Sequence, residues 1–185
     1  MPTARQHPRI LAFAGTILLG LLGAAAPAPG ADASGAAPKL RVLIYSGLNN
    51  HDWRSTTPVL KSMLAGCPRF GPVDVTDDPA SVDQAKLARY DVIVSNWTPY
   101  PDTRRTWRPE TEAAFLDFIR NGGGFVVIHA AACTFQVWPE FQHLIALTWK
   151  EHHTSHAAYH TFRVSIAASG HPIARGLTDF YTTDE

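Results

Sequence analysis

Two histidines, His51 and His129, follow predicted strands, and imidazole is the side chain best suited to move protons near neutral pH. His129 ends the run 122–129, in which three glycines lead into an apolar stretch typical of a central parallel strand. Ligands of open α/β sheets bind outside the carboxyl ends of the strands. The pattern therefore predicts that His51 and His129 face one ligand as catalytic acid and base, with Asp52 orienting one of them.

Tryptophans and asparagines are also concentrated after predicted strands, where four of the five tryptophans lie. Flat aromatic faces next to amide groups suit stacking on sugar rings and hydrogen bonding to hydroxyls. The same tryptophans would serve equally well to cover the crevice without touching a ligand. The residues predicted to shape a substrate pocket are Asn50, Trp53, Asn96 and Trp97.

A second group of histidines lies at positions 152, 153, 156 and 160. A helix would align three of these imidazoles for zinc, but neither H-E-x-x-H nor H-x-x-E-H occurs, and Thr154 and Ser155 favour a loop. We predict no metal at the site. Two other interpretations stay open, which are solvated loop residues or substrate contacts made by His156 and His160.

The elements that must position these residues alternate between strand and helix. Thr57 and Pro58 are the predicted N-cap and first residue of the first helix, and Pro109 and Pro139 begin two later ones. This alternation predicts an α/β fold, a doubly wound parallel sheet sandwiched by helices. The predicted strands are 41–46, 73–76, 91–96, 125–129 and 162–166, and a further helix is predicted at 81–89.

The composition limits the classes of function. The 185 residues are 45% hydrophobic, and 16 basic residues balance 16 acidic ones, so the chain lacks the basic field that nucleic acid requires. Neither G-x-S-x-G, a Walker A loop nor G-x-G-x-x-G occurs, so we predict no cofactor.

The first residues are typical of a secretory signal. Arg5 and Arg9 precede the uncharged run 10–26, and Ala31-Asp32-Ala33 offers a cleavage site before Ser34. An uncleaved membrane anchor is the alternative. We predict a signal peptide at 1–33, a linker at 34–40 and a domain at 41–185, in a periplasmic or secreted protein with no stable membrane anchor after cleavage.

Export would make a disulfide between the only two cysteines worth considering. Cys67 closes the first predicted helix at one end of the sheet, whereas Cys133 follows a strand at the other end. This separation predicts that both thiols are unpaired.

Several short motifs, in this order along the chain, resemble the ThuA-like family of trehalose utilisation proteins. They are Asn49-Asn50-His51-Asp52-Trp53, Thr56-Thr57-Pro58, Asn96-Trp97, Asn121-Gly122-Gly123-Gly124, Ile128-His129-Ala130-Ala131, Trp138-Pro139-Glu140, His171-Pro172-Ile173 and Thr183-Asp184-Glu185.

The resemblance implies a flavodoxin-like α/β fold of the class I glutamine amidotransferase-like superfamily. Where amidotransferases carry their nucleophilic cysteine, this chain has His129, and Cys133 lies one helical turn later. Glutamine hydrolysis is therefore not expected. The resemblance also implies that Glu185 belongs to the substrate site, and that relatives continue beyond it, so a C-terminally truncated domain is expected.

Together these observations predict an exported protein of carbohydrate utilisation, acting on trehalose or a related disaccharide or keto-sugar by proton transfer. The reaction type, whether isomerisation, elimination or hydrolysis, stays open. A noncatalytic carbohydrate-binding module is the first alternative, and a metal-dependent hydrolase using residues 152–160 is the second. The predicted partner is a small carbohydrate, not nucleic acid, and a homo-oligomer is compatible with the sequence.

Overall fold

A parallel sheet of four strands forms the centre of the fold in the computed structural model, which describes residues 38–184. Its order is β2-β1-β3-β4. The second strand lies on one side of the first, and the chain then crosses over to form the third strand on the other side of the first. This reversal is the position at which α/β sheets open a ligand crevice. The strands are β1 (Leu40–Gly47), β2 (Phe70–Thr76), β3 (Val92–Trp97) and β4 (Gly124–Val127).

Helices lie on both faces of the sheet, which confirms the predicted doubly wound α/β architecture. Val42 and Ile44 of β1 pack on one face with apolar residues of the first helix, while Leu43 packs on the other face with aromatic residues of the third and fourth helices. The helices are α1 (Trp53–Ala65), α2 (Gln84–Leu87), α3 (Pro109–Arg120) and α4 (Pro139–Ile145).

The predicted start of α1 was wrong. The helix begins at Trp53, with Asp52 as its N-cap, and Pro58 lies inside it. The Asp52 carboxylate accepts a hydrogen bond from the Ser55 amide at 3.1 Å, so a cap forms one turn before the predicted one. Thr57 is buried, and its hydroxyl contacts the Ser46 hydroxyl at 2.7 Å.

Two other regions differ from the sequence prediction. The helix expected at 81–89 is a 3-10 turn (Pro79–Ser81) followed by the short α2. The last predicted strand occurs slightly earlier, as β5 (His160–Val164), and pairs with an unpredicted antiparallel strand, β6 (Phe180–Asp184). This second sheet is separate from the central one.

The segment from α3 to β4 follows the prediction closely. Glu110 and Glu112 lie in the first turn of α3, and Gly122 adopts a φ of +93° just after its end. Gly123 then passes very close to Phe118, because a Cβ atom at this position would lie 2.3 Å from the phenyl ring. Phe118 is partly buried and packs against the core.

We expect Gly123→Ala to lower the free energy of unfolding by about 1–3 kcal/mol, because the methyl group must displace Phe118. Chemical denaturation would measure this loss. Gly170→Ala is the control, since nothing lies within 4 Å of a Cβ atom there. Equal stability of the two variants would contradict the close approach.

Both cysteines are unpaired, as predicted. No helix within residues 38–184 is long and apolar enough to cross a membrane. The predicted signal peptide and most of the linker lie outside the described residues, as does Glu185.

Candidate active site

His51 and His129 meet at the carboxyl ends of the sheet, as the sequence predicts. Their Nε2 atoms are 3.1 Å apart, and their ring centroids are 4.3 Å apart. Such a contact requires one proton between the two nitrogens, so one imidazole donates and the other accepts. The histidine pair, as we call these two residues, therefore offers a proton donor and a proton acceptor side by side on an exposed surface.

His129 projects from a sharp turn directly after β4. The predicted strand 125–129 ends at Val127, and a 3-10 turn (His129–Cys133) begins at His129 with a φ of +46°. A residue with a β-carbon seldom adopts this backbone conformation, and it is most often found at functional sites. Strained turns of this kind also present catalytic nucleophiles at the strand ends of other α/β proteins.

Five non-glycine residues within 38–184 have positive φ, and all lie in loops around the same edge of the sheet. His129 itself lines a cleft at this edge, and each of the other four precedes a residue of the cleft by one or two positions. The five are Leu48, His129, Phe135, Ala146 and His152.

His51 is held by an asparagine whose side chain bonds its backbone. The Asn49 Oδ1 atom accepts from the His51 amide at 2.9 Å, and the Asn49 Nδ2 atom donates to Asn96 Oδ1 at 3.5 Å. Asn96 is the next-to-last residue of β3 and is only 4% exposed. It was predicted to contact substrate, but its burial makes it a support for the loop that carries His51.

The Asn96 amide also joins this loop to α1. Its Nδ2 atom donates to the hydroxyls of Thr56 at 3.0 Å and Thr57 at 3.1 Å. Because Thr57 also contacts Ser46 of β1, the polar network links two neighbouring strands with the first helix. A buried network whose members are all bonded fixes one geometry.

The histidine pair opens into a cleft of about 460 Å³. Asn50 lies beside the pair, as predicted, and Tyr100, Trp149 and Gln136 supply aromatic and amide groups along the walls. A concave site with aromatic faces and a few polar groups is typical of small-molecule binding.

The far wall of the cleft is tied to the turn that follows His129. Trp149 donates its amide to Ala132 O at 3.2 Å, and Gln136 Nε2 donates to the carbonyls of Cys133 and Trp149. Glu151 accepts from the Thr103 hydroxyl at 3.0 Å. These bonds bring residues 147–156 to the strand ends although they are remote from His51 in sequence.

Cys133 lines the cleft but is not activated as a nucleophile. Burial, and then the nearby Glu151 carboxylate, raise the pKa of the Cys133 thiol. A thiol with a raised pKa holds less of the reactive thiolate near neutrality. This agrees with the expectation that Cys133 does not replace the missing amidotransferase nucleophile.

We expect Glu151→Gln to increase alkylation of Cys133 by iodoacetamide severalfold near pH 8, since the thiolate loses a neighbouring negative charge. The comparison is best made in a Cys67→Ser background by mass spectrometry. Glu140→Gln on α4 is the control. Equal alkylation rates with and without the Glu151 carboxylate would contradict the predicted influence.

Asp52 and Trp53 have positions other than those expected. Hydrogen bonds from Ser55 lower the pKa of the Asp52 carboxyl, which caps α1. Its role in orienting a histidine stays a prediction. Trp53 packs under the Arg54 guanidinium and lines a different cavity, next to Pro58.

Trp97 belongs to the core rather than the pocket. It is 4% exposed, and its ring lies 5.9 Å from Trp107 and 5.8 Å from Phe135. Trp107 and Trp138 are buried in the same aromatic cluster. Of the two interpretations of the tryptophans, the structure therefore supports packing beneath the crevice for three of them.

The histidines of the 152–160 segment do not form a helix, in agreement with the predicted loop. His156 lines the cleft and lies against Trp149, with ring centroids 6.0 Å apart. His160 begins β5, contacts Phe162 and is not among the cleft residues. Within residues 38–184, no group of three or more histidine, cysteine or acidic side chains is arranged to hold a metal ion.

Three residues of the cleft were not predicted from the sequence, namely Trp149, Tyr100 and Gln136. Trp149 was the one tryptophan that follows no predicted strand, and its bonds to Ala132 and Gln136 place it in the cleft. Tyr100 lies in the aromatic exit loop of β3, which was a usable signal. Gln136 gave none, because its role depends on carbonyls that the fold brings together.

A larger cavity, of about 580 Å³, lies at the opposite end of the strands. Its acidic groups are already engaged, since Asp91 accepts from the Arg41 amide and Asp117 pairs with Arg120. It contains no histidine or cysteine. The histidine cleft is therefore the better candidate for chemistry.

The parallel sheet, the strained turn after β4 and the cleft at the strand ends define an α/β protein of flavodoxin-like architecture with a histidine where a nucleophile would lie. The sequence model of one family, ThuA, described as trehalose utilisation, matches residues 41–185. The chain belongs to the ThuA family.

Solved structures support the same assignment. A protein described as ThuA-like from Parabacteroides merdae is 27% identical, with a TM-score of 0.63 over 78% of this chain and 60% of its own. A second ThuA-like protein, from Bacteroides uniformis, is 22% identical, with a TM-score of 0.60 over 84% and 63%. At that identity, the second supports the fold alone.

The chain thus spans about three fifths of the length of these two relatives. The comparison with curated proteins gave no match.

Proposed function

We propose that the chain acts on a carbohydrate, trehalose or a related disaccharide or keto-sugar, by proton transfer at the histidine pair. The observation that carries this proposal is the 3.1 Å contact between His51 Nε2 and His129 Nε2 at the mouth of the cleft. The family description, trehalose utilisation, supports the substrate class.

The chemistry that suits this pair is proton exchange next to a carbonyl, which a keto-sugar carries and trehalose itself does not. One imidazole removes the proton from the carbon beside the carbonyl, and the electron pair of that C–H bond forms a C=C bond. The other imidazole gives a proton to the carbonyl oxygen, which yields an enediol. Returning a proton to either carbon completes an isomerisation or restores the substrate.

The cleft walls suit a sugar. Trp149 is partly exposed and Tyr100 is 52% exposed, so their rings are accessible for stacking on a pyranose face. Asn50 and His156, two of the residues predicted to bind substrate, lie on the same cleft and offer hydrogen bonds to hydroxyls. The roles of His160, Trp53 and Glu185 stay predictions.

Deuterium exchange would test the proposal. We expect the 185-residue chain in D₂O to place deuterium on the carbon beside the carbonyl of a monoketo derivative of trehalose. NMR would measure the rate of this incorporation. His129→Gln should slow this exchange by about 100-fold or more, the contribution of a positioned acid or base. His143→Gln, on α4 outside the cleft, is the control and should not change the rate.

Binding without exchange would overturn the catalytic proposal in favour of the noncatalytic module. In that outcome, the sugar raises the melting temperature, Trp149→Ala reduces this shift, and no deuterium is incorporated. If the sugar causes neither deuterium exchange nor a thermal shift, these sugars are also excluded as ligands.

We also propose that residues 1–33 direct export to the periplasm or outside the cell, which rests on Arg5, Arg9 and the apolar run alone. The test is the mass of the chain recovered from the periplasm of a bacterial host. A protein that begins at Ser34 is expected, and a full-length chain in the membrane fraction would contradict it.

A further inference from the structure

The spacing of the histidine pair matches the geometry of a metal chelate. Two imidazole nitrogens that bind one ion are separated by a distance set by the metal–nitrogen bond length and the angle between the bonds. His51 Nε2 and His129 Nε2 are 3.1 Å apart. With Zn–N bonds of about 2.0–2.1 Å, this separation corresponds to an N–Zn–N angle of about 100°, close to tetrahedral.

The two rings meet at an angle, with their planes inclined by 66° and their centroids 4.3 Å apart, closer than two rings placed end to end would be. Because both side chains are exposed, an ion can reach them from solvent.

The backbone of both histidines is held in place before any ion arrives. His129 is set by the left-handed turn after β4, and His51 by the Asn49 side chain, which is itself bonded to the buried Asn96. A site whose ligands are held in place loses little conformational entropy on binding.

We propose that His51 and His129 together bind a transition-metal ion that prefers imidazole, such as Zn²⁺, through their Nε2 atoms. Within residues 38–184, no third metal-binding side chain is assembled beside them. Carboxylate-preferring ions such as Mg²⁺ are not expected there.

This inference goes beyond the proposed function and does not depend on it. A nitrogen that holds the ion cannot exchange a proton with a sugar at the same time, so the metal-bound pair is inactive in proton transfer. Zn²⁺ binding and deuterium exchange are therefore separate measurements, and either can fail while the other succeeds.

The histidines of the 152–160 segment are the competing ligands, because surface imidazoles also bind zinc. His152 and His153 are exposed and do not line the cleft. Replacing both by glutamine leaves the histidine pair intact and provides a matched control for the loss of two imidazoles.

Isothermal titration of the 185-residue chain with Zn²⁺ tests the proposal, with Mg²⁺ as the negative control. We expect about one bound Zn²⁺, with the Kd raised at least about tenfold by either His51→Gln or His129→Gln and unchanged by the double control. In the wild-type chain, Zn²⁺ should shift the ring NMR signals of His51 and His129 first.

No Zn²⁺ binding, or binding abolished by the double control and retained by both single variants, would overturn the proposal. Circular dichroism reports whether each variant is folded. If one single variant does not fold, the other and the wild-type ring signals still decide the outcome.

Discussion

Phe135→Ala should lower the free energy of unfolding by about 3–5 kcal/mol, the largest effect that we expect from a single substitution. Phe135 is 0% exposed and forms the centre of the aromatic cluster under the cleft. Its ring lies 4.7 Å from Trp107, 5.2 Å from Trp138 and 5.0 Å from Phe141. Removing it leaves a cavity that these rigid rings cannot fill.

Thermal unfolding would measure this loss as a fall in melting temperature of roughly 10 °C or more. Phe180→Ala is the matched control, because Phe180 is 50% exposed and its truncation should change stability by about 0.5 kcal/mol or less. A similar small loss for both phenylalanines would show that the aromatic cluster is not the main core of the domain.

Asn96→Leu should cost about 2–3 kcal/mol and also disturb the histidine pair. The leucine has a similar volume but cannot bond the hydroxyls of Thr56 and Thr57 or the amide of Asn49. Polar groups left without partners in a buried position cost about 1–3 kcal/mol each. Because Asn49 positions His51, we expect the change to reach the active site.

Two measurements separate these effects. Chemical denaturation gives the loss of stability, and NMR of the imidazole nitrogens reports the contact between His51 and His129. Asn121→Leu, at an exposed helix end, should change neither by much. A stability loss with unchanged His51 signals would mean that Asn96 supports the fold without positioning the histidine.

The sequence was sufficient to predict the sheet and the histidine pair. The apolar runs of β1, β3 and β4 identify buried strands, and parallel strands bring their carboxyl ends to one edge. Two histidines that follow strand ends were therefore expected to face one ligand, and in the structure they lie in direct contact. This inference needed only the order of elements and a general rule of α/β folds.

Local sequence could not decide between two starts of α1. Asp52 and Thr57 are both good N-caps, and Pro58 favours the later one. The choice depends on the Thr57 hydroxyl, which bonds Ser46 and Asn96 and is thus occupied in the core. Partners 11 and 39 residues away in sequence leave no local signal.

The tryptophans show the same limit. Trp97 and Trp149 are the same residue type, yet Trp97 is buried and Trp149 lines the cleft. Trp97 is covered because Trp107, from the loop before α3, and Phe135, from the loop before α4, pack against it. Whether a side chain at a strand end is buried depends on how distant parts of the chain pack, and no short motif encodes that.

The five non-glycine residues with positive φ around the cleft imply a conflict between stability and activity. At each of these five positions the backbone would be less strained with glycine, and such strain costs of the order of 1–3 kcal/mol. At Leu48, Ala146 and His152, a glycine would relax the chain, whereas at Phe135 it would also remove the centre of the aromatic cluster. At His129, the same relief removes an imidazole. Selection for heat resistance alone would thus tend to erase this histidine, so its retention under such selection would indicate that the chain is used for chemistry.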